Sequence, residues 1–138
     1  MTVQPSSRTA ELVMVGSELL RGVYADTNGC FLARSFAAEG IAVTRTTVVR
    51  DVEDEIAEVI SRALSRVSLV VVCGGLGPTI DDLTREAIVQ ATGIPLALHQ
   101  EIVDAIRQRF ASRGLTVSEN NLRQAYVPEC GGFFPNPN

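Results

Sequence analysis

Within the stretch VVVCGGLGPTIDDLT (70–84), an apolar run stops at Gly74 and Gly75, Gly77 follows, and two adjacent acids, Asp81 and Asp82, stand just beyond. Glycine turns after buried strands present backbone N–H groups that cradle anions. Two carboxylates beside such a turn would repel an anion unless a cation came between them. The earlier stretch GSELLRGVYADTN (16–28) carries two more acids, Glu18 and Asp26. Carboxylates clustered at one mouth are costly without a cation among them. Mg²⁺ suits such a place, because it takes oxygen ligands, few of them from protein, and fills the rest with water or phosphate. The chemistry implied is phosphoryl: the amides of Gly74, Gly75 and Gly77 hold phosphate oxygens, and a metal on Asp82 or Asp26, with Asp81 a further ligand, polarises the same phosphate.

Each of these residues has a plainer use. Pro78 rigidifies the turn and Thr79 places a hydroxyl in it. Asp81 or Asp82 could cap the following helix, a use worth about 1 kcal/mol. Asp26 could cap a helix starting near Thr27, and Glu18 could order its loop, the preferred reading, or bind metal. Ser17 and Asn28 could donate to a ligand, although turn chemistry explains them equally well. Arg21, Arg85 and Arg123 could meet a phosphate or ribose. Glu119, Asn120, Asn121 and Gln124 form a polar cluster whose functional reading is contact with a base or ribose. Cys73 reads as a small buried hydrophobe, and the acidic run 51–58 as a solvated helix face suited to the helix dipole.

Positioning these groups requires alternating strands and helices. Residues 10–15 read as a first strand, 27–39 as a helix with Phe31, Leu32, Ser35 and Phe36 on one face, and 41–49 as a second strand. Asp51 is the expected N-cap of a helix over 52–66, whose apolar stripe is Ile56, Val59, Ile60, Ala63, Leu64 and Val67. Residues 69–73, apolar on both faces, read as a third and central strand. Helices follow over 83–92, from His99 or a neighbour to Gly114 with Ile102, Val103, Ile106 and Phe110 inward, and over 119–125 behind an N-cap at Ser118. His99 is expected to be a cap or surface residue. Gly40, Gly93 and Gly114 each precede an apolar residue, the signature of a left-handed helix C-terminus. Strand–helix alternation implies an α/β fold with a parallel sheet, whose ligand crevice lies beyond the carboxyl ends of the strands. Both acidic loops should face that crevice.

The composition narrows the classes. A length of 138 residues suits one domain, with residues 1–8 a loose start and no signal-peptide apolar segment. The net charge of −4 argues against a nucleic-acid binder. No run is long enough to span a membrane. Lysine is absent, so no lysine Schiff base or Walker loop exists, and the glycine spacing lacks the dinucleotide fingerprint. Cys30, Cys73 and Cys130 show no paired spacing and are expected as free thiols in the cytoplasm.

The motifs VGSELLRG (15–22), DTN (26–28), GGLGPTIDDLT (74–84), ENN (119–121), RQA (123–125) and PNP (135–137) run in order along nearly the whole chain. In these the chain resembles the N-terminal domain of the competence/damage-inducible CinA proteins and, more distantly, the molybdopterin-binding domain of the MoaB/MogA/MoeA group. The resemblance implies a three-layer α/β/α sandwich with a mostly parallel sheet. It implies a phosphate at the glycine turn, where Leu76 replaces the threonine of the molybdopterin group, and ties Asp82 and Asp26 to adenylyl-transfer chemistry there. On the CinA side it implies a pyrophosphatase acting on ADP-ribose or a related nucleotide diphosphate, with Mg²⁺, Mn²⁺ or Co²⁺, and a homo-oligomer. The alternatives are a molybdopterin-binding, adenylylating protein and a non-catalytic nucleotide-binding module. The deamidase activity of the fused C-terminal domain is not implied. The family pattern continues past PNP with a further loop, strand and helix, so the expectation is a domain lacking those elements.

Overall fold

The computed structural model describes residues 8–135; the expected loose start up to residue 7 and most of PNP lie outside them. The sheet contains β1 (Thr9–Val15), β2 (Ala42–Val49) and β3 (Leu69–Cys73), all parallel, in the order β2-β1-β3. The helices joining them are α1 (Ser17–Leu20), α2 (Thr27–Ala38) and α3 (Glu53–Leu64). The α/β class and parallel sheet expected from the alternation are therefore present. The centre of the sheet is β1, however, and not β3. Residues 10–15 are buried throughout, whereas β3 is half-buried and forms an edge among the described strands.

A charge inside β1 disguises its position. Glu11 is 3% exposed, and Arg66, just past α3, meets both of its carboxylate oxygens at 2.7 and 2.6 Å. The pair offsets the cost of burying a lone carboxylate. On the same face Val13 and Val15 pack with Val49, with Ile56, Ala57 and Ile60 of α3, and with Ala87 of α4 (Thr84–Thr92). Leu12 and Met14, directed oppositely by the two-residue period, are buried as well. Of the expected α3 stripe, Ile56, Ile60 and Ala63 are buried, but Leu64 is exposed; Phe31 of the expected α2 face is exposed too.

After α4 the chain forms β4 (Leu96–Leu98), α5 (Gln100–Ser112), α6 (Glu119–Leu122), a 3-10 turn (Arg123–Ala125) and β5 (Tyr126–Pro128). The strands β4 and β5 pair antiparallel as a second, two-stranded sheet that the residue pattern does not announce. Gly40, Gly93 and Gly114 take φ near +70° after α2, α4 and α5, as their spacing implies. Ser118 caps α6 in a reciprocal box with Asn121. No helix among the described residues is long and apolar enough to cross a membrane.

Candidate functional site

The site lies at the carboxyl ends of β1 and β3. Gly74 has φ +102°, and a Cβ there would run into the Val15 carbonyl; Gly75 has φ +62°, and a Cβ there would collide with Thr84 Oγ1. Only glycine lets β3 turn this close to β1 and α4.

The carbonyls of Gly74, Gly75, Leu76 and Gly77 accept from α4, and that of Thr79 accepts from the Asp82 amide and from the 3-10 turn behind. Thr84 Oγ1 donates to the Gly74 carbonyl at 2.8 Å and Thr84 N to the Gly75 carbonyl at 3.2 Å. Arg85, only 6% exposed, donates to the carbonyls of Leu76 and Gly77 at 2.6 and 2.7 Å. Arg123 donates to the Thr79 carbonyl at 2.8 Å and to Glu86 at 2.7 Å. A trans peptide sets its N–H opposite its C=O, and the described chain has no cis bond. Fastening these carbonyls inward therefore turns the amides of Gly75 and Leu76 outward, where they meet no protein acceptor among the described residues.

Asp82 occupies the outer side. Its Oδ2 accepts from the Thr79 amide at 2.8 Å and the Thr79 hydroxyl at 2.5 Å. Burial pushes its pKa up, but these bonds, a Gly77 amide and the Arg85 charge outweigh burial and leave it below its ordinary value. The turn thus already holds one oxyanion, its own carboxylate. Neither Asp81 nor Asp82 caps α4, whose N-cap position is Leu83 with no side-chain bond; Asp81 is exposed. Gly77 and Thr79, expected on substrate, face Asp82 here. Pro78 has no N–H to give.

The first acidic loop contains the short helix α1. Asp26 caps α2, accepting from the Gly29 amide at 2.7 Å. Glu18 folds back over Gly16, which agrees with an ordering role. Ser17 is engaged: its amide and hydroxyl both donate to Asp51 Oδ2 at 2.8 Å. Asp51 consequently does not cap α3, whose N-cap is Val52 without a side-chain bond. Asn28 directs its amide to Cys73 Sγ at 3.5 Å, which ties the start of α2 to the end of β3. The Asn121 carbonyl oxygen serves the Ser118 cap. His99 stands at the N-cap position of α5 but makes no side-chain cap; its ring meets Phe133 edge-on, with centroids 5.5 Å apart.

Arg85 and Arg123, which could meet a phosphate or ribose, donate here to the turn's own backbone and, for Arg123, also to Glu86. Asp26, Asp81 and Asp82 do not form a three-ligand set, and no group of three or more His, Cys, Asp or Glu with metal-binding geometry occurs among the described residues. A divalent cation here would need one carboxylate supplemented by ligand phosphate and water, an arrangement Mg²⁺ commonly accepts. Thr84 escaped the sequence reading; its position in the first turn after the paired aspartates was the available signal.

The family described as "Probable molybdopterin binding domain" matches residues 11–130. A CinA-like protein of Trichormus variabilis is 43% identical over 129 residues, covering 94% of this chain and 31% of that protein. The chain thus spans about a third of the length of that curated relative. Among solved structures, the protein CinA of Thermoplasma acidophilum superposes with a TM-score of 0.86 at 32% identity, covering 95% of this chain and 76% of that one. A molybdopterin biosynthesis protein of Mycobacterium abscessus superposes at 0.58 with 28% identity, covering 86% and 72%.

Proposed function

The chain belongs to the molybdopterin-binding domain family, among its CinA-like members, and from that premise we propose that it binds a phosphate-bearing small molecule at the glycine turn and hydrolyses a nucleotide diphosphate such as ADP-ribose there. The observation that carries the reading is the inward fastening of the turn's carbonyls, which leaves the Gly75 and Leu76 amides facing outward above the buried Arg85 charge. Preformed donors over a fixed positive charge suit a phosphate and need no rearrangement when it arrives.

In this reading Gly75 and Leu76 hold phosphate oxygens and Arg85 keeps them aimed. Asp82 and Asp26 are the acids assigned to a divalent cation. The cation, when bound, neutralises pyrophosphate charge and supplies an activated water. Asp82, ionised across the neutral range, is suited to that contact, and its ties to Thr79 set its direction. Exposed apolar side chains on and beside the first loop (Leu20, Val23, Tyr24, Phe31) fit the expected homo-oligomer, which size-exclusion chromatography with light scattering tests.

The test is product analysis of ADP-ribose incubated with this chain plus Mg²⁺, Mn²⁺ or Co²⁺, and with EDTA. AMP and ribose 5-phosphate forming only with metal, and lost in Asp82→Ala, is the expected result. Metal-independent inertness toward ADP-ribose, with binding of a phosphorylated pterin instead, would favour the pterin reading, for which the likeness to the molybdopterin biosynthesis protein is the specific support.

A further inference from the structure

The donors along the glycine turn are unevenly spent. The Gly75 and Leu76 amides meet no protein acceptor among the described residues. The Gly77 amide, the Thr79 amide and the Thr79 hydroxyl all serve one acceptor, the Asp82 carboxylate. Its Oδ2 lies 2.8 Å from the Thr79 amide and so near Gly77 that a Cβ there would overlap it. A ligand oxyanion spanning the turn would need the same donors, so Asp82 stands where part of that ligand belongs. The contact is also a separable one. Its partners are three residues apart and exposed, and α4 takes no cap from Asp82. The turn itself is held from the other side, by Thr84, Arg85 and Arg123. The carboxylate can therefore turn away about its own side-chain bonds while the backbone donors keep their places.

We propose that Asp82 is a built-in competitor for the glycine turn: its carboxylate fills the Gly77 and Thr79 donors of the free protein, and a phosphate-bearing ligand gains the whole row only by displacing it, an inference that rests on the anion-binding reading above. Bonds from a carboxylate to amide and hydroxyl donors are charge-assisted and strong, so the closed arrangement dominates until a ligand offers the donors something better. Ligand affinity is then reduced by the fraction of molecules in which the row is open. The Gly75 and Leu76 amides, which Asp82 does not reach, remain the point of first contact. A small anion that touches only those two gains little, whereas one long enough to reach Gly77 and Thr79 evicts the carboxylate. Once displaced, Asp82 stands free beside the bound phosphate, which is the place the hydrolytic reading requires of it.

The experiment is isothermal titration of the full chain with pyrophosphate in EDTA, for the native protein, Asp82→Ala, Thr79→Ala and the double variant. Asp82→Asn accompanies them as the same-shape substitution, which keeps the comparison readable if the alanine variant does not fold. Asp82→Ala should bind pyrophosphate about tenfold more tightly than the native chain, as a row open in one molecule in ten would require, and Asp82→Asn should move the same way. Removing a nearby negative charge would also tighten an anion, so the Thr79 variants separate the two causes. In the native background Thr79→Ala should change affinity by less than about twofold, because carboxylate and ligand lose the same donor; in the Asp82→Ala background it should weaken pyrophosphate about fivefold, the worth of one hydrogen bond. Binding by the Asp82 variants alone, with none by the native chain, would support the inference in its strongest form. An unchanged or weaker affinity in both Asp82 variants would overturn the competition and leave the anion cradle standing. So would a Thr79→Ala effect equal in the two backgrounds, which would reduce Asp82 to a repelling charge. No binding of pyrophosphate by any of these proteins would overturn the competition and the cradle together.

Discussion

Arg85 brings a charge into a nearly closed position to hold two backbone carbonyls, those of Leu76 and Gly77, with one planar fork. Its geometry is not replaceable by a point charge, because a lysine ammonium lacks the fixed pair of donors. Arg85→Met keeps the apolar stem and removes the donors. We expect it to cost about 2 kcal/mol or more in urea denaturation, from carbonyls left unsatisfied, and to abolish pyrophosphate binding; an unchanged midpoint would count against the fastening. Asp82 makes the complementary prediction in pH. Its folded pKa lies below the ordinary 3.8 of an aspartate, so its ionised form stabilises the fold. That contribution is complete above the unfolded value and is lost as pH falls through the lower folded value. The gap in denaturation midpoint between the native chain and Asp82→Asn should therefore stay constant through neutral pH and close only below about pH 4. A gap that closed near pH 6 would show another group at work.

At the scale of elements, the start of α2 depends on a glycine chosen for space. A Cβ on Gly29 would overlap Asp26 Oδ2, so Gly29→Ala should displace the cap and cost about 1 kcal/mol by thermal or urea denaturation. A neutral Gly29→Ala would mean that the cap has somewhere else to go. The helix ends were legible from residues alone because their cause is local: a left-handed glycine followed by an apolar residue. The order of the sheet was not. A continuous apolar run marks β3 as central, whereas β1 carries Glu11; the structure reverses the two because Arg66, 55 residues away in sequence, takes up the charge. The strands β4 and β5, each three residues long, are too short to show a period and exist by pairing with one another. The same division applies to the site. The location of the tight turn could be read from glycine spacing after a strand. Which aspartate caps depended on competing partners, one distant and one local: Ser17, 34 residues away, draws Asp51 from α3, and Thr79, three residues away, draws Asp82 from α4.

For the molecule as a whole, Arg123 is the group that joins the β4–β5 unit to the glycine turn. It reaches the Thr79 carbonyl across 44 residues and pairs with Glu86, whose other oxygen is buried without a partner. Arg123→Ala should cost about 1–2 kcal/mol in the urea midpoint, since it strands a second Glu86 oxygen. It should also loosen anion binding while the three-stranded sheet persists by circular dichroism. Loss of the whole sheet signal would show that the two parts do not fold separably. The central place of β1 has a consequence in time. The strand β1 pairs with β3 through Ala10 and Leu69, so this partner emerges about 60 residues later. At about 5–20 residues per second that interval is roughly 3–12 seconds, during which a row of apolar side chains has left the ribosome with only half its final neighbours. Apolar surface exposed for that long is the kind that invites aggregation unless it is covered.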